Sequence, residues 1–122
     1  MKHYITSEET GIPFSQAVEA NGFVFISGQV PLDENDVMVE GDMRMKTHRV
    51  LKNIELILTK VGLTWKHVVR MEVYLPDLNN LPEVNAAYAE YLKHPLPTRH
   101  AIGVKALPLN ADIEITAIAV RE

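Results

Sequence analysis

The chain has 122 residues, 47% of them hydrophobic and 23% charged, an ordinary globular make-up that is neither disordered nor membranous. Its 16 acidic and 12 basic residues leave a net charge of −4, which argues against broad phosphate-backbone binding, because such binding needs clustered Lys and Arg. It has no cysteine, hence no disulfide, thiolate metal site or cysteine nucleophile, and no apolar run approaches the roughly 18 residues of a membrane span.

A chain of this length reads as one domain, 1–122, able to bury roughly two thirds of its unfolded surface without staples. The first six residues lack the apolar core of a secretory signal, so a cytoplasmic location is expected. Residues 2–6 predict a short edge strand, and Ser7 to Pro13 reads as loop from its Ser, Glu, Thr, Gly and Pro content. Strands near 14–20 and 23–27 flank Asn21-Gly22, whose tolerance of positive φ predicts a tight hairpin turn. Phe23-Val24-Phe25-Ile26 is apolar on both alternating faces, the mark of a strand covered on two sides. Ser27-Gly28-Gln29 closes it with a small hydroxyl and a glycine. Such an end is a bulge in the simplest reading, and a place where backbone can approach a ligand in the other.

Pro31 to Glu40 reads as a solvated acidic loop. From Asp42 the apolar period becomes helical: Met43, Thr47, Val50, Leu51, Ile54, Leu58 and Val61 form one stripe, and Gly62 ends it, predicting a helix over 42–61. His48 and His67 have no partner at metal-ligand spacing and read as surface or packing residues, and Trp65 as a cap on the core. Residues 68–75 alternate as a half-buried strand, with Val69, Met71, Val73 and Leu75 inward and Arg70, Glu72 and Tyr74 outward. Asn79 or Asn80 caps a second helix over 81–92, with Pro82 in its first turn and Leu81, Val84, Tyr88 and Leu92 on one face. Asn85 stands at the border of that face, placed to pair with a helix end or to meet a ligand. The prolines of Lys93 to Pro97 make an extended, rigid lead into a strand that begins near Arg99. A Pro108-Leu109-Asn110-Ala111 turn separates that strand from a last one carrying Glu114.

The element order β-β-β-α-β-α-β-β predicts an α+β fold, a single mixed sheet of about six strands with two helices on one face. The unit 68–104 should cross over to make parallel strands. Two helices cover one sheet face only, and the doubly apolar strands point to burial of the other against copies of the same chain.

Several stretches then fall into one pattern. Gly11-Ile12-Pro13-Phe14-Ser15-Gln16-Ala17-Val18, Ile26-Ser27-Gly28-Gln29-Val30-Pro31, Asp77-Leu78, Val84-Asn85-Ala86-Ala87-Tyr88, Pro97-Thr98-Arg99, Leu107-Pro108 and Ile113-Glu114-Ile115-Thr116-Ala117-Ile118-Ala119, in this order, resemble the RidA (YjgF) family of reactive-intermediate (2-iminobutanoate/2-iminopropanoate) deaminases. The resemblance implies a chorismate-mutase-like fold assembled as a homotrimer with clefts between subunits. It implies hydrolysis of 2-imino acids, or their enamine tautomers, to 2-keto acids and ammonia with no cofactor and no metal. Carried over residue by residue, Arg99 grips the substrate carboxylate, Glu114 orients or activates water, Ser27, Gly28 and Asn85 line the cleft, and the backbone at Ala101 meets the imine or water. Phe14 stands where the family usually has a tyrosine, which weakens the deaminase expectation and leaves room for a trimer that binds a 2-keto acid and regulates a partner protein. A ribonuclease activity attributed to some members finds no basic, aromatic-rich patch here.

One geometric expectation follows. If the last two strands run antiparallel, Arg99 and Glu114 lie at opposite ends of the sheet, about 20 Å apart, and could serve one ligand only from different subunits.

Overall fold

Asn21 and Gly22 take φ values of 53° and 81°, and the chain reverses there between β2 (Ala17–Ala20) and β3 (Phe23–Gln29). From this hairpin the computed structural model, which describes all 122 residues, builds a six-stranded sheet. Its remaining strands are β1 (Lys2–Tyr4), β4 (Val68–Leu75), β5 (Thr98–Gly103) and β6 (Glu114–Val120). The order across the sheet is β1-β2-β3-β6-β4-β5, antiparallel throughout except for the parallel pair β4 and β5 that the crossover predicts.

Three helices complete the fold: α1 (Ser7–Thr10), α2 (Met43–Lys60) and α3 (Leu81–Tyr91). The first corrects the loop expected at 7–13. Thr6 and Glu9 form a capping box, with the Thr6 N–H donating to Glu9 Oε2 at 2.7 Å, and Gly11 ends the single turn at φ 77°. Asp42 caps α2 by accepting from the Met45 N–H at 2.9 Å. Asn80 holds the N-cap position of α3, one of the two asparagines expected there, but without the expected side-chain bond. Asp77 instead accepts from the Asn79 N–H in the turn before the helix.

The core lies between one sheet face and the two long helices. Val50, Leu51, Ile54 and Leu58 of α2 and Val84 and Tyr88 of α3 pack on Val24 and Ile26 of β3, Met71, Val73 and Leu75 of β4, and Ile115, Ala117 and Ala119 of β6. Burying each large aliphatic side chain contributes about 1.5–3 kcal/mol, so this stripe fixes how the helices sit. Trp65 caps the edge as expected, with its indole N–H donating to Glu55.

Two bulges set which residues leave that core. In β4 the register shifts between Val68 and Arg70, so Val68 is buried and Val69 is exposed, the reverse of the simple alternation. In β3 it shifts between Ile26 and Gln29, at Ser27-Gly28. On the opposite face of the sheet Phe23 and Phe25 remain 45% and 47% exposed, with no helix over them.

Two expectations near the end of the chain are corrected. Lys93 to Pro97 bends at His94 and Pro95 instead of running extended. The last two strands do not pair: β4 lies between them, bonded in parallel to β5 and antiparallel to β6. The second strand begins at Ala17 rather than residue 14, because Phe14, Ser15 and Gln16 stand outside the ladder.

Candidate functional site

Arg99 is the second residue of the edge strand β5, level with Met71 of β4. Its Nη1 donates to Asn85 Oδ1 at 2.8 Å, and its guanidinium carbon stands 5.0 Å from the centre of the Tyr88 ring. Asn85 and Tyr88 are three apart on α3 and so share a face, which is why one arginine meets both. A neutral amide and a ring face orient the guanidinium without neutralising it. Arg44, Arg49, Arg70 and Arg121 each pair with a carboxylate, leaving Arg99 as the arginine without an anion.

Glu114 opens β6, level with Tyr74 of β4. It accepts no hydrogen bond and forms no ion pair, and burial pushes its carboxyl above the usual carboxylate range. Gly28 gives it room. A Cβ built at position 28 would lie 2.7 Å from Glu114 Oε2, so the bulge at the end of β3 needs its glycine for this approach. Ser27 beside it donates its hydroxyl to the Ser15 carbonyl at 2.7 Å, and Gln29 donates to Gln16 Oε1 at 2.8 Å. These bonds moor the segment carrying Phe14 to the strand end.

Phe14, Ser27, Gly28 and Glu114 thus line one groove of about 710 Å³. Its other walls include Ile12, Leu56 and Leu109, and its charged lining is wholly acidic: Asp33, Asp36 and Glu114. Sequence reasoning missed Leu56, Leu109 and the ring of Tyr88 as site neighbours. The Asn85/Tyr88 spacing carried the last of these, whereas Leu56 and Leu109 leave no periodic signal.

Arg99, Asn85 and Ala101 lie outside the groove. Arg99 and Ala101 face the helices, as their contacts with α3 and the core show, while Glu114 alternates with buried Ile115 and shares the opposite face with Tyr74. From Met71 to Tyr74 is three residues along β4, and β5 and β6 flank it. The two residues therefore stand about 14 Å apart rather than 20 Å, on opposite faces of the sheet. His100, next to Arg99, points away from it and lies 3.3 Å from Arg70 Nη2. His48 meets Glu90 and the edge of Tyr91, His67 caps the turn after α2, and no three His, Asp or Glu side chains gather as a metal-binding set.

The fold defines a class: an α+β protein of one mixed sheet backed by two long helices, with a bare second face and an acid-bearing groove at a strand end. Within that class the chain belongs to the RidA (YjgF) family, whose sequence model, described as Endoribonuclease L-PSP, matches residues 6–121. A RutC family protein of Pyrococcus abyssi is 41% identical over 111 residues, covering 90% of this chain and 87% of its own length. The crystal structure of RidA from an Antarctic Psychrobacter superposes with a TM-score of 0.85 at 34% identity, covering 89% of each chain. That of E. coli TdcF with bound serine gives a TM-score of 0.85 at 32% identity, covering 91% of this chain and 90% of TdcF.

Proposed function

We propose that this protein hydrolyses 2-imino acids and their enamine tautomers to 2-keto acids and ammonia, without cofactor, in clefts between the subunits of a homotrimer. The observation that carries this reading is the pair of unspent charges: an arginine held by neutral groups and a carboxylate held by none, on opposite faces of one sheet. The groove around Glu114 contains no cation, so an anionic substrate needs one from outside the protomer, and a neighbour's Arg99 supplies it.

The chemistry is water addition across C=N. The imine nitrogen takes a proton, water attacks C2, the resulting carbinolamine loses ammonia as its C–N bond breaks, and the 2-keto acid remains. The protein has to hold the carboxylate, place water and move protons. Arg99 performs the first task. Glu114, whose burial favours the protonated form more than water would, performs the second and third by exchanging protons with the attacking water and the nitrogen. Ser27, Gly28, Asn85 and the backbone at Ala101 shape the rest of the cleft. We assign the activity to the cytoplasm, where a chain without cysteine requires no oxidising surroundings; no helix is long and apolar enough to cross a membrane.

A second reading, a trimer that binds a small carboxylate and regulates a partner protein, is favoured by Phe14, which brings a ring but no hydroxyl to the groove. The bound serine of the TdcF crystal structure belongs to that protein, and here it motivates testing small amino-acid-like ligands. Against RNA as substrate stands the wholly acidic charged lining of the groove, which repels a phosphate backbone.

The deciding assay follows keto-acid and ammonia formation from freshly generated 2-iminobutyrate. Wild type should accelerate it and Arg99→Ala should not, with both proteins giving the same circular dichroism and oligomer size. Turnover that persists unchanged in Arg99→Ala removes the arginine from the mechanism. Saturable 2-oxobutanoate binding by a wild type that leaves imine loss unaccelerated selects the regulatory reading.

A further inference from the structure

The groove beside Glu114 has an apolar wall for which the hydrolytic step has no use. Leu109 is its most informative part. Its backbone sits at φ 58° and ψ 22°, the left-handed region that a leucine occupies only under strain, and its side chain is 68% exposed. It neither fills the core nor suits its own backbone, and it lines the groove. Ile12, Phe14 and Leu56 line the same space and are also exposed. Four large apolar side chains left open around one groove are an unusual concentration for a polar enzyme surface, and they match the body of an apolar ligand. The acidic residues Asp33 and Asp36 complete the lining and disfavour a second carboxylate on that ligand.

We propose that this groove selects 2-imino acids with bulky apolar side chains, the branched, thioether or aromatic ones derived from leucine, methionine or phenylalanine, and that Leu109 is the specificity-determining residue. The proposal rests on the deaminase reading for its reaction, while its geometry concerns only the side-chain end of the ligand. Each methylene buried against such a wall is worth about fourfold in binding, so a leucine-derived imine gains on the order of tenfold over 2-iminobutyrate. A glutamate-derived imine, with its second carboxylate near Asp33 and Asp36, falls below both.

The test compares kcat/KM for imines generated in place from leucine, 2-aminobutyrate and glutamate, using semicarbazide as the competing trap. Wild type should prefer the leucine-derived imine about tenfold over 2-iminobutyrate and handle the glutamate-derived one least well. Leu109→Asn suits the left-handed backbone, so its Tm should hold or rise while that preference falls towards unity. A wild-type ratio at or below one, or an unaltered ratio in a folded Leu109→Asn, overturns the proposal. If no imine turns over at all, the deaminase reading fails separately, and calorimetry with stable 2-keto acids decides the groove. Tighter binding of 4-methyl-2-oxopentanoate than of 2-oxobutanoate in wild type, lost in Leu109→Asn, then supports the selectivity, and equal affinities overturn it.

Discussion

Within one protomer Arg99 has no carboxylate partner and Glu114 no cation, and their separate environments make separate predictions. Burial raises the Glu114 carboxyl, so the unfolded chain ionises before the folded one as pH rises. Stability is therefore lost from the ordinary carboxylate range upward, through the raised folded value, and is unaffected below it. Glu114→Gln should unfold at higher denaturant concentration than wild type at neutral pH, the difference vanishing well below the ordinary carboxylate range, while imine hydrolysis collapses. Equal midpoints at neutral pH would mean that the carboxylate is paid for by a partner in the assembly. Phe14→Tyr restores a hydroxyl to the groove that Phe14 lines. If the hydroxyl meets the developing carbinolamine, about 1–3 kcal/mol of transition-state stabilisation returns, up to roughly a hundredfold in kcat. No change in kcat would place the tyrosine's usefulness outside the chemical step. Every residue of these arguments was readable in the sequence. What could not be read was that α3 brings Asn85 and Tyr88 under Arg99, because a buried-stripe tyrosine looks the same whether or not a cation stacks on it.

At the scale of elements, local signals served well and neighbour relations did not. Asn21-Gly22 specified its turn, the stripe from Met43 to Leu58 specified α2, and both match because backbone φ and helical periodicity are set by adjacent residues. The insertion of β4 between β5 and β6 is a choice among strand partners far apart in the chain, and the turn at Pro108 gave no hint of it. Val69 turns outward, against simple alternation, for a related reason: a bulge shifts the alternation by one, and nothing in Val68-Val69 distinguishes the two phases. The bulge at Ser27-Gly28 brings β3 close to β6 at Glu114, which makes Gly28→Ala informative. Its new methyl would stand 2.8 Å from Glu114 Cδ, and the flexible end of that side chain can swing away. The melting temperature should therefore move little while kcat falls at least tenfold. A large loss of stability with activity per folded molecule retained would show that Gly28 serves the fold alone.

For the whole molecule the governing fact is that two helices cover one face of six strands. The face bearing Phe23 and Phe25 is left apolar and open, and light scattering should find it closed by self-association into the proposed trimer. The uncovered face was legible from the doubly apolar strands; the division of the candidate groups between the two faces was not, because it depends on the register of β4 with both neighbours. That division has a genetic corollary. In the proposed trimer a lesion at Arg99 and a lesion at Glu114 would disable different halves of one cleft, so two dead alleles should complement one another inside a mixed assembly. Reassembling equal amounts of Arg99→Ala and Glu114→Gln chains at random should restore about a quarter of the wild-type sites, since one neighbour pairing in four joins an intact arginine to an intact glutamate.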